Sequence, residues 1–556
     1  MKNLYFILFV GALLFSSCSS QEQQTESERT AKRLSESKQK GSVLGELQHG
    51  FDLSEAVKAK FEEGLLLLHN FEYDDALTAF EEATAQDSTE VLTHWGEAMC
   101  HYKALWRLQN TEEGKAILAR LGNTEAERLA SIKDPIKKDM WKIVELMYGE
   151  GNFEERNKKI SQHLASLHEQ HPNHQEIAVF YALSLIWATE EYGDGSEDLR
   201  LAASIADKVI KVNSLHPGAL HYKIHALDGP ISAKDALDAA DAYAKVAVDA
   251  AHALHMPSHI YLALGEWEGV VKSNQVSYDA SVARMEKKKL KDGARGYHSL
   301  AWLHYGLLQQ GRYKDAQKIL DDMQSYVPKD PTKGARGYLL GMQNRQIFES
   351  GIFPNREKVD VDVKVDDIGI VSQSNRSFLR AQMAFQNQDA KIIAEEIDWL
   401  KGKISMASEQ VQGDGLVMCA AGTSRYAPTD NGIKSAKVIL AQMKGMQALI
   451  GDDENRFERN MKEAIALENE TDFPTGPPKI AMPSFEQYGK WLMSKGKYAE
   501  AIVQFDKALD RMPRRSKSLS GKVASLMELN QKRKAEVVQK ELNSIWVFAD
   551  CFKDQK

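Results

Sequence analysis

The chain has 556 residues, more than one compact hydrophobic core holds, so several domains or an elongated array are expected. Charged residues make up 27% and hydrophobic residues 43% of the sequence, which is typical of a folded, soluble body and excludes a fibrous or disordered chain. The formal net charge of -8 argues against nucleic acid as a partner, because phosphate binding requires a basic surface.

The chain begins with the pattern of a secretion signal, which covers residues 1–17. Lys2 precedes the apolar segment LYFILFVGALLF, which is too short to span a membrane as a helix. The segment ends in FSSC and resembles a bacterial lipobox, in which small residues precede a cysteine. This resemblance implies cleavage before Cys18, acylation of its thiol with a fatty acid such as palmitate, and anchoring in the outer membrane, on its periplasmic face or at the cell surface. The alternative is an ordinary secretion signal that contains a cysteine.

Residues 18–44 are polar and nearly free of large apolar side chains, so we predict a flexible tether. Beyond Cys18 the chain has only Cys100, Cys419 and Cys551, which allow one disulfide at most. No CxxC motif occurs, which argues against thiolate zinc sites and thioredoxin-like redox chemistry.

From about residue 45 onward, apolar residues recur at helical spacing. One pattern is clearest in FEQYGKWLMSKGKYAEAIVQFDKALDRMP (485–513) and returns in residues 61–88 and 297–320. The order Gly, G-x-Y, A-x3-F-x2-A and Pro, within a unit of about 34 residues, resembles the tetratricopeptide repeat (TPR). We therefore predict an all-α protein, a TPR-type α-α superhelix in which stacked helix pairs bury a continuous core.

The sequence also predicts two lobes in this solenoid. Residues 45–350 read as one long helical block. The segment EKVDVDVKVDDIGIV then alternates apolar and polar residues with period two, which favours a strand or loop, so residues 351–375 are predicted to be an irregular linker. Residues 376–556 form the predicted C-terminal lobe, with a long loop near 411–432.

Two histidine-containing blocks, HPGALHYKIHALDG (216–229) and HALHMPSHIYLALGEW (252–267), resemble a poorly characterised subfamily of bacterial TPR proteins. The likeness extends over YHSLAWLHYGLLQQGRY and FPTGPPKIAMPSFEQYGKWL, from about residue 55 to 535. It implies a concave groove that binds ligands. The Lys and Asn residues of the TPR carboxylate clamp have no clear counterpart, so binding of chaperone C-termini is not expected.

All 16 histidines lie between His49 and His304, although the chain continues to Lys556. The pairs HYKIH and HMPSH each place two histidines at i and i+4, on one helix face. The second pair follows the first by one repeat period, so that His255 corresponds to His221 and His259 to His225. The pairs are therefore expected on adjacent repeats, facing one groove. Pro257 predicts that the helix with His259 begins or kinks near Met256. The candidate groove or metal residues are His221, His225, His255, His259, His252, His298, Glu176 and, at the end of a first helix, His69.

Three interpretations of these histidines stay open. They can be structural, with His216 capping a helix; they can bind zinc or another transition metal, since i, i+4 imidazoles are a common helical ligand pair. They can also recognise an anionic peptide or a glycan. No HExxH, Walker, G-x-S-x-G or dinucleotide motif occurs, so no catalytic residue is predicted and an enzyme is not favoured.

The first functional hypothesis is therefore a lipid-anchored TPR scaffold that binds a protein or peptide in the groove of the first lobe. A metal-binding protein or metal-dependent enzyme that uses the same histidines is the alternative, and a glycan-binding lipoprotein is the second alternative.

Overall fold

The structure is a computed structural model that describes residues 43–189, 196–351, 363–411 and 426–550. In these ranges it is a succession of α-helices. Helices α1 to α7 span Glu55–His69, Tyr73–Gln86, Val91–Cys100, Thr111–Ala119, Glu125–Ser131, Pro135–Met147 and Phe153–Gln170. Helices α8 to α14 span Gln175–Ala188, Glu197–Val212, Pro217–Ala226, Leu237–Val246, Ala251–His255, Pro257–Ala263 and Trp267–Lys287.

The helices continue to the end of the described body. Helices α15 to α20 span Tyr297–Gln309, Tyr313–Tyr326, Lys333–Ser350, Ile370–Gln386, Ala390–Gln410 and Asp430–Ile450. Helices α21 to α25 span Glu454–Asn469, Ser484–Ser494, Tyr498–Arg511, Ser516–Glu528 and Lys532–Ile545. Short 3-10 helices occupy Ala104–Trp106, Ala233–Ala236 and Asp292–Ala294. Within the described ranges the strands form one small antiparallel hairpin, β1 (Tyr102–Lys103) with β2 (Leu108–Gln109).

Small residues let neighbouring helices approach one another. A Cβ atom built on Gly64 of α1 would lie 2.8 Å from the ring of Phe80 in α2, and one built on Gly96 of α3 would lie 2.4 Å from the same ring. Phe505 of α23 lies in the same way between Gly489 and Gly521. In the first repeat and in a late repeat, a phenylalanine thus packs between two glycines. This contact holds three successive helices together. This packing confirms the all-α, TPR-type solenoid of stacked helix pairs that the sequence predicts.

The C-terminal helices pack against the middle of the chain. The indole Nε1 of Trp267 donates to the carbonyl oxygen of Arg514 at 2.8 Å, and that of Trp546 donates to the carbonyl oxygen of Gln309 at 3.2 Å. Leu262, Trp302 and Tyr305 share one apolar cluster with residues of α24 and α25, among them Leu519 and Leu542. The histidine-bearing helices α13 and α15 are therefore covered by distant sequence.

Several sequence predictions concern residues outside the described ranges. They are the signal segment with Cys18, most of the tether, residues 352–362 of the linker and residues 412–425 of the predicted loop. The described residues from Leu44 onward form one compact unit, and α18 begins at Ile370, inside the predicted linker. The division into two lobes stays a prediction. No helix of the described ranges is long and apolar enough to cross a membrane.

Candidate metal centre

Four helices bring six histidines together. Helix α10 carries His221 and His225, α12 carries His252 and His255, α13 carries His259, and α15 carries His298 in its first turn. The chain passes from α12 to α13 at Met256, and Pro257 occupies the first position of α13. A proline at this position removes no hydrogen bond inside a helix, so the break predicted near Met256 is confirmed.

His255, His259 and His298 form a first cluster, triad A, in which the Nε2 atoms converge. The Nε2 atom of His255 lies 3.1 Å from that of His259 and 2.9 Å from that of His298. His255 and His259 are buried, and His298 is half-buried. Two nitrogens that bind one ion at about 2.0–2.1 Å lie about 2.8–3.4 Å apart when the ligand angle is about 90–109°. The separations in triad A fall within that interval.

The outer ring nitrogens of triad A contact polar groups that orient the rings. Nδ1 of His255 donates to Oδ1 of Asn274 at 2.7 Å; the amide nitrogen of Asn274 is committed to the carbonyl oxygen of Val270 at 2.8 Å. Nδ1 of His259 donates to the carboxylate of Asp228 at 2.7 Å. The contact with Asn274 places the proton of the neutral His255 ring on Nδ1, so that its Nε2 carries a lone pair. This lone pair points toward the Nε2 atoms of His259 and His298, so the three rings are placed to share a cation.

The third ring of triad A contacts a phenol. Nδ1 of His298 lies 2.8 Å from the hydroxyl oxygen of Tyr338, which can donate or accept. An outer contact to a carboxylate, as in His259, is typical of imidazoles that bind metals, because it fixes the tautomer and the ring plane.

Burial favours the neutral form of four of the six rings. Burial, and then the neighbouring His259, lowers the pKa of His255 to about 3. Burial is also the first cause that lowers the pKa of His221, His225 and His252 well below its ordinary value, followed in each case by a neighbouring imidazole. Neutral imidazoles are the form that binds a metal ion.

His221, His225 and His252 form a second cluster, triad B. One ligand atom from each lies within 4.8 Å of the others. Nε2 of His221 lies 3.2 Å from Nε2 of His252. Phe71 contacts all three rings, with centroid distances of 4.4 Å to His221, 6.0 Å to His225 and 5.4 Å to His252.

His69 and Glu176 lie in a third cluster, together with His216. The two carboxylate oxygens of Glu176 contact Nε2 of His69 at 2.7 Å and Nε2 of His216 at 3.2 Å, and Tyr222 contacts Nδ1 of His69 at 2.9 Å. Burial alone would raise the pKa of Glu176, but the two imidazoles lower it below its ordinary value. Each nitrogen of His69 has a protein partner, and Nδ1 of His216 caps α10. This cluster is therefore structural.

A cavity of about 200 Å³ adjoins triad A. Its lining includes His259, His298, Trp302 and Tyr338, and also residues 473–480, with the sequence FPTGPPKI. Trp302 contacts the rings of His255 and His259 at centroid distances of 4.8 and 4.6 Å. The cavity is smaller than a drug-sized pocket of about 300–1,000 Å³, so it suits a small molecule.

The structure thus brings six of the eight candidate residues into two adjoining triads and places the other two, His69 and Glu176, in the structural cluster. Four of the six histidines are at most 1% exposed, so they lie in the interior of the helix array. Sequence reasoning missed Asp228, Asn274, Tyr338 and Trp302. Asp228 lies in the block HALDG, shortly after His225. This proximity to a candidate histidine is the sequence feature that could have indicated Asp228 as a site residue. Tyr338 and Asn274 give no such signal, because their contacts join distant helices.

No protein-family model matches the chain, and no curated protein does. Among solved structures, the chain is similar to the human IFIT1 dimer with m7Gppp-AAAA, at 14% identity over 89% of each chain and a TM-score of 0.33. It is also similar to yeast Tom70, at 13% identity over 90% of this chain and 96% of that chain, with a TM-score of 0.28. Likeness at this level carries no functional argument. The TPR-type class rests on the packing of the helix pairs themselves.

Proposed function

We propose that this chain is a membrane-anchored TPR-type metalloprotein that binds a transition-metal ion through Nε2 of His255, His259 and His298. The observation that carries this proposal is the convergence of these Nε2 atoms at 2.9 and 3.1 Å while the Nδ1 atoms of His255 and His259 donate outward. Zinc, copper, iron and nickel all suit imidazole ligands.

The geometry favours metal binding over a groove in which the same histidines bind a peptide or a glycan. A surface for an anionic peptide requires exposed imidazoles, whereas His255 and His259 are each 1% exposed. Solenoids of helix pairs do form concave binding surfaces, so a protein partner for another face of the array is compatible with this fold.

Three imidazoles leave a coordination position open, as in catalytic rather than structural zinc sites. The cavity beside His259 and His298 gives a small molecule access to this position. A bound divalent ion would act there as a Lewis acid and lower the pKa of a bound water molecule. A metal-dependent reaction on a small substrate is thus the kind of activity that this site supports.

The lipid anchor is part of the same proposal. Acylation of Cys18 would hold the body at the outer membrane, and residues 19–43 would act as the tether, because Leu44 already belongs to the compact body. Metal binding would then take place outside the cytoplasm.

The test is elemental analysis and zinc titration of the full-length protein. We expect bound zinc that is lost, or bound at least 100-fold more weakly, in His259→Asn and in His298→Asn. His304→Asn is the matched control, because His304 is buried on the same helix as His298 but contacts Gln346 instead of a triad. Equal zinc binding by the control and by both triad variants, or no zinc binding by the wild type, would overturn the proposal.

A further inference from the structure

Triad B has the features of a second ligand set. We propose that His221, His225 and His252 bind a second transition-metal ion, so that the interior of the protein holds a pair of neighbouring metal sites. The ligand set of triad B is argued from its own contacts, and the pair of sites rests on the metal binding proposed for triad A.

His225 gives the first argument. Its ring is fully buried, and neither Nδ1 nor Nε2 has a hydrogen-bond partner among the described residues. Leaving a buried polar group without a partner costs about 1–3 kcal/mol, and native proteins rarely do so. The nearest polar rings are those of His221, at a centroid distance of 4.8 Å, and His259, at 6.1 Å. An ion shared with other imidazoles would satisfy the lone pair of His225.

His221 gives the second argument. Its Nδ1 atom donates to the carbonyl oxygen of His69 at 2.7 Å, so its neutral ring directs a lone pair from Nε2 toward Nε2 of His252, 3.2 Å away. A backbone carbonyl on the outer nitrogen is a common support for a histidine that binds a metal. The separation of 3.2 Å lies within the interval expected for two nitrogens on one ion.

The structural cluster of Glu176 gives the site a rigid support. His69 supplies the carbonyl oxygen that orients His221, and the ring of His69 is held by Glu176 and Tyr222. Phe71, which follows the end of α1, has a backbone φ of 56°. The corresponding turns of other repeats hold Gly265, Gly311 and Gly496 in three cases and the polar residues Gln388, Asp452 and Asn530 in three more. A non-glycine residue is disfavoured in this left-handed conformation. Here it places an aromatic ring in contact with triad B.

The two triads are neighbours. The ring centroids of His225 and His259 lie 6.1 Å apart, and those of His252 and His255 lie 6.2 Å apart. Three neutral imidazoles without a carboxylate ligand suit a divalent ion of borderline softness, such as Zn²⁺, Cu²⁺ or Co²⁺. Each triad contains one half-buried histidine, His252 in triad B and His298 in triad A, through which an ion can enter.

The experiment is metal stoichiometry. The full-length protein is stripped with a chelator, titrated with Zn²⁺, and analysed for bound zinc per chain. We expect two ions in the wild type, one ion in His225→Asn, one ion in His252→Gln, and two ions in the control His304→Asn. His252→Gln alters a half-buried side chain, so it keeps the inference testable if His225→Asn fails to fold.

The outcomes separate this inference from the proposed function. A wild type that binds one ion, lost in His259→Asn and kept in both triad B variants, overturns the second site and leaves triad A intact. Two ions in both triad B variants also overturn it, because the second ion then lies elsewhere. A wild type that binds none overturns both proposals. Weak magnetic coupling between two Cu²⁺ ions in the electron paramagnetic resonance spectrum would be an additional expected result.

Discussion

Nδ1 of His259 donates to Oδ2 of Asp228 at 2.7 Å, and both side chains are almost fully buried. This contact places a proton of the imidazole on Nδ1, the nitrogen that points away from His255. The orientation of the ring and its tautomer therefore depend on a carboxylate that follows His225 closely in the sequence.

Replacing Asp228 by alanine is expected to weaken zinc binding at triad A by about 10–100-fold, because the outer partner of His259 is lost. Asp228→Asn should have a smaller effect, since an amide oxygen can still accept from Nδ1. Isothermal titration calorimetry of the stripped protein measures both. Asp238→Asn, at an exposed position, is the control. Equal affinities for wild type and Asp228→Ala would show that this contact does not support a metal ligand.

The sequence predicts this site only in part. The offset of one repeat period and the i, i+4 spacing indicate that His221, His225, His255 and His259 lie together, because a repeat carries equivalent residues to equivalent faces. An upstream match between HPNHQEIAVF and HPGALHYKIH likewise aligns Glu176 with His221, but Glu176 contacts His69 and His216 instead. The contact with His69 joins α8 to the end of α1, and the repeat pattern contains no information about contacts between distant repeats.

The sequence predicts the fold better than the site, because the packing of adjacent helices depends on residues that are close in sequence. Gly64 and Phe80 belong to adjacent helices, so the pattern of small and large residues predicts their packing. The cover over α13 and α15 comes from α24 and α25, far along the chain, as in the contact between Trp267 and Arg514. Such long-range packing depends on how the small rotations between many successive repeats add up. The helix propensities of the residues and the spacing of apolar positions do not determine that sum.

Gly521→Ala is expected to destabilise the protein by about 1–3 kcal/mol, because the new Cβ atom would lie 2.4 Å from the ring of Phe505. The control is Gly402→Ala in α19, where nothing lies within 4 Å of the added atom. That change should stabilise by about 0.5–1 kcal/mol through helix propensity. Urea unfolding monitored by circular dichroism measures both. The helix-pair packing would be contradicted if Gly521→Ala were as stable as Gly402→Ala.

Cys18→Ser is expected to abolish incorporation of labelled fatty acid and to move the protein from the membrane fraction to the soluble fraction. The physical reason is that an acyl chain contributes about 0.8 kcal/mol per buried methylene group to membrane binding. Cys100→Ser is the control, since Cys100 is buried in the body and outside the signal. Membrane association that persists in Cys18→Ser, with unchanged labelling, would exclude a lipid anchor at this cysteine.

The stability of the metal-free protein should fall as the pH drops below about 6.5, the ordinary pKa of histidine. Burial, and then the charge of Arg345, lowers the pKa of His304 to about 3 in the folded protein, against an ordinary value of 6.5. Between these pH values the unfolded chain binds one proton more than the folded chain at this residue, so the free energy of unfolding rises with pH. His304 alone contributes a slope of about 1.36 kcal/mol per pH unit.

The variant His304→Gln tests this contribution. Its free energy of unfolding is measured with urea between about pH 4 and 6. The slope of this free energy against pH should be smaller than in the wild type, and the difference should be about the slope of one titrating group. An unchanged slope in His304→Gln would show that this histidine is not held neutral by the fold.

Arg515 should be the charged residue on which the packing of the C-terminal helices depends most. Its guanidinium is fully buried, pairs with Glu349 of α17 and Glu486 of α22, and donates to the hydroxyl oxygen of Tyr305 at 2.6 Å. Arg515→Met leaves both carboxylates buried without their partner, so the expected destabilisation is about 3–5 kcal/mol. Lys522→Met removes only the partly exposed ion pair with Asp506 and should cost at most about 1 kcal/mol.

Combining Arg515→Met with Glu349→Gln and Glu486→Gln should recover part of the lost stability, because the substitutions remove the uncompensated charges. Differential scanning calorimetry of the single and triple variants measures the recovery. If Arg515→Met unfolds at the wild-type temperature, the ion cluster between α17, α22 and α24 does not hold these helices together. If the triple variant is less stable than Arg515→Met, the loss comes from packing around the guanidinium and not from two buried carboxylates that lack a cation.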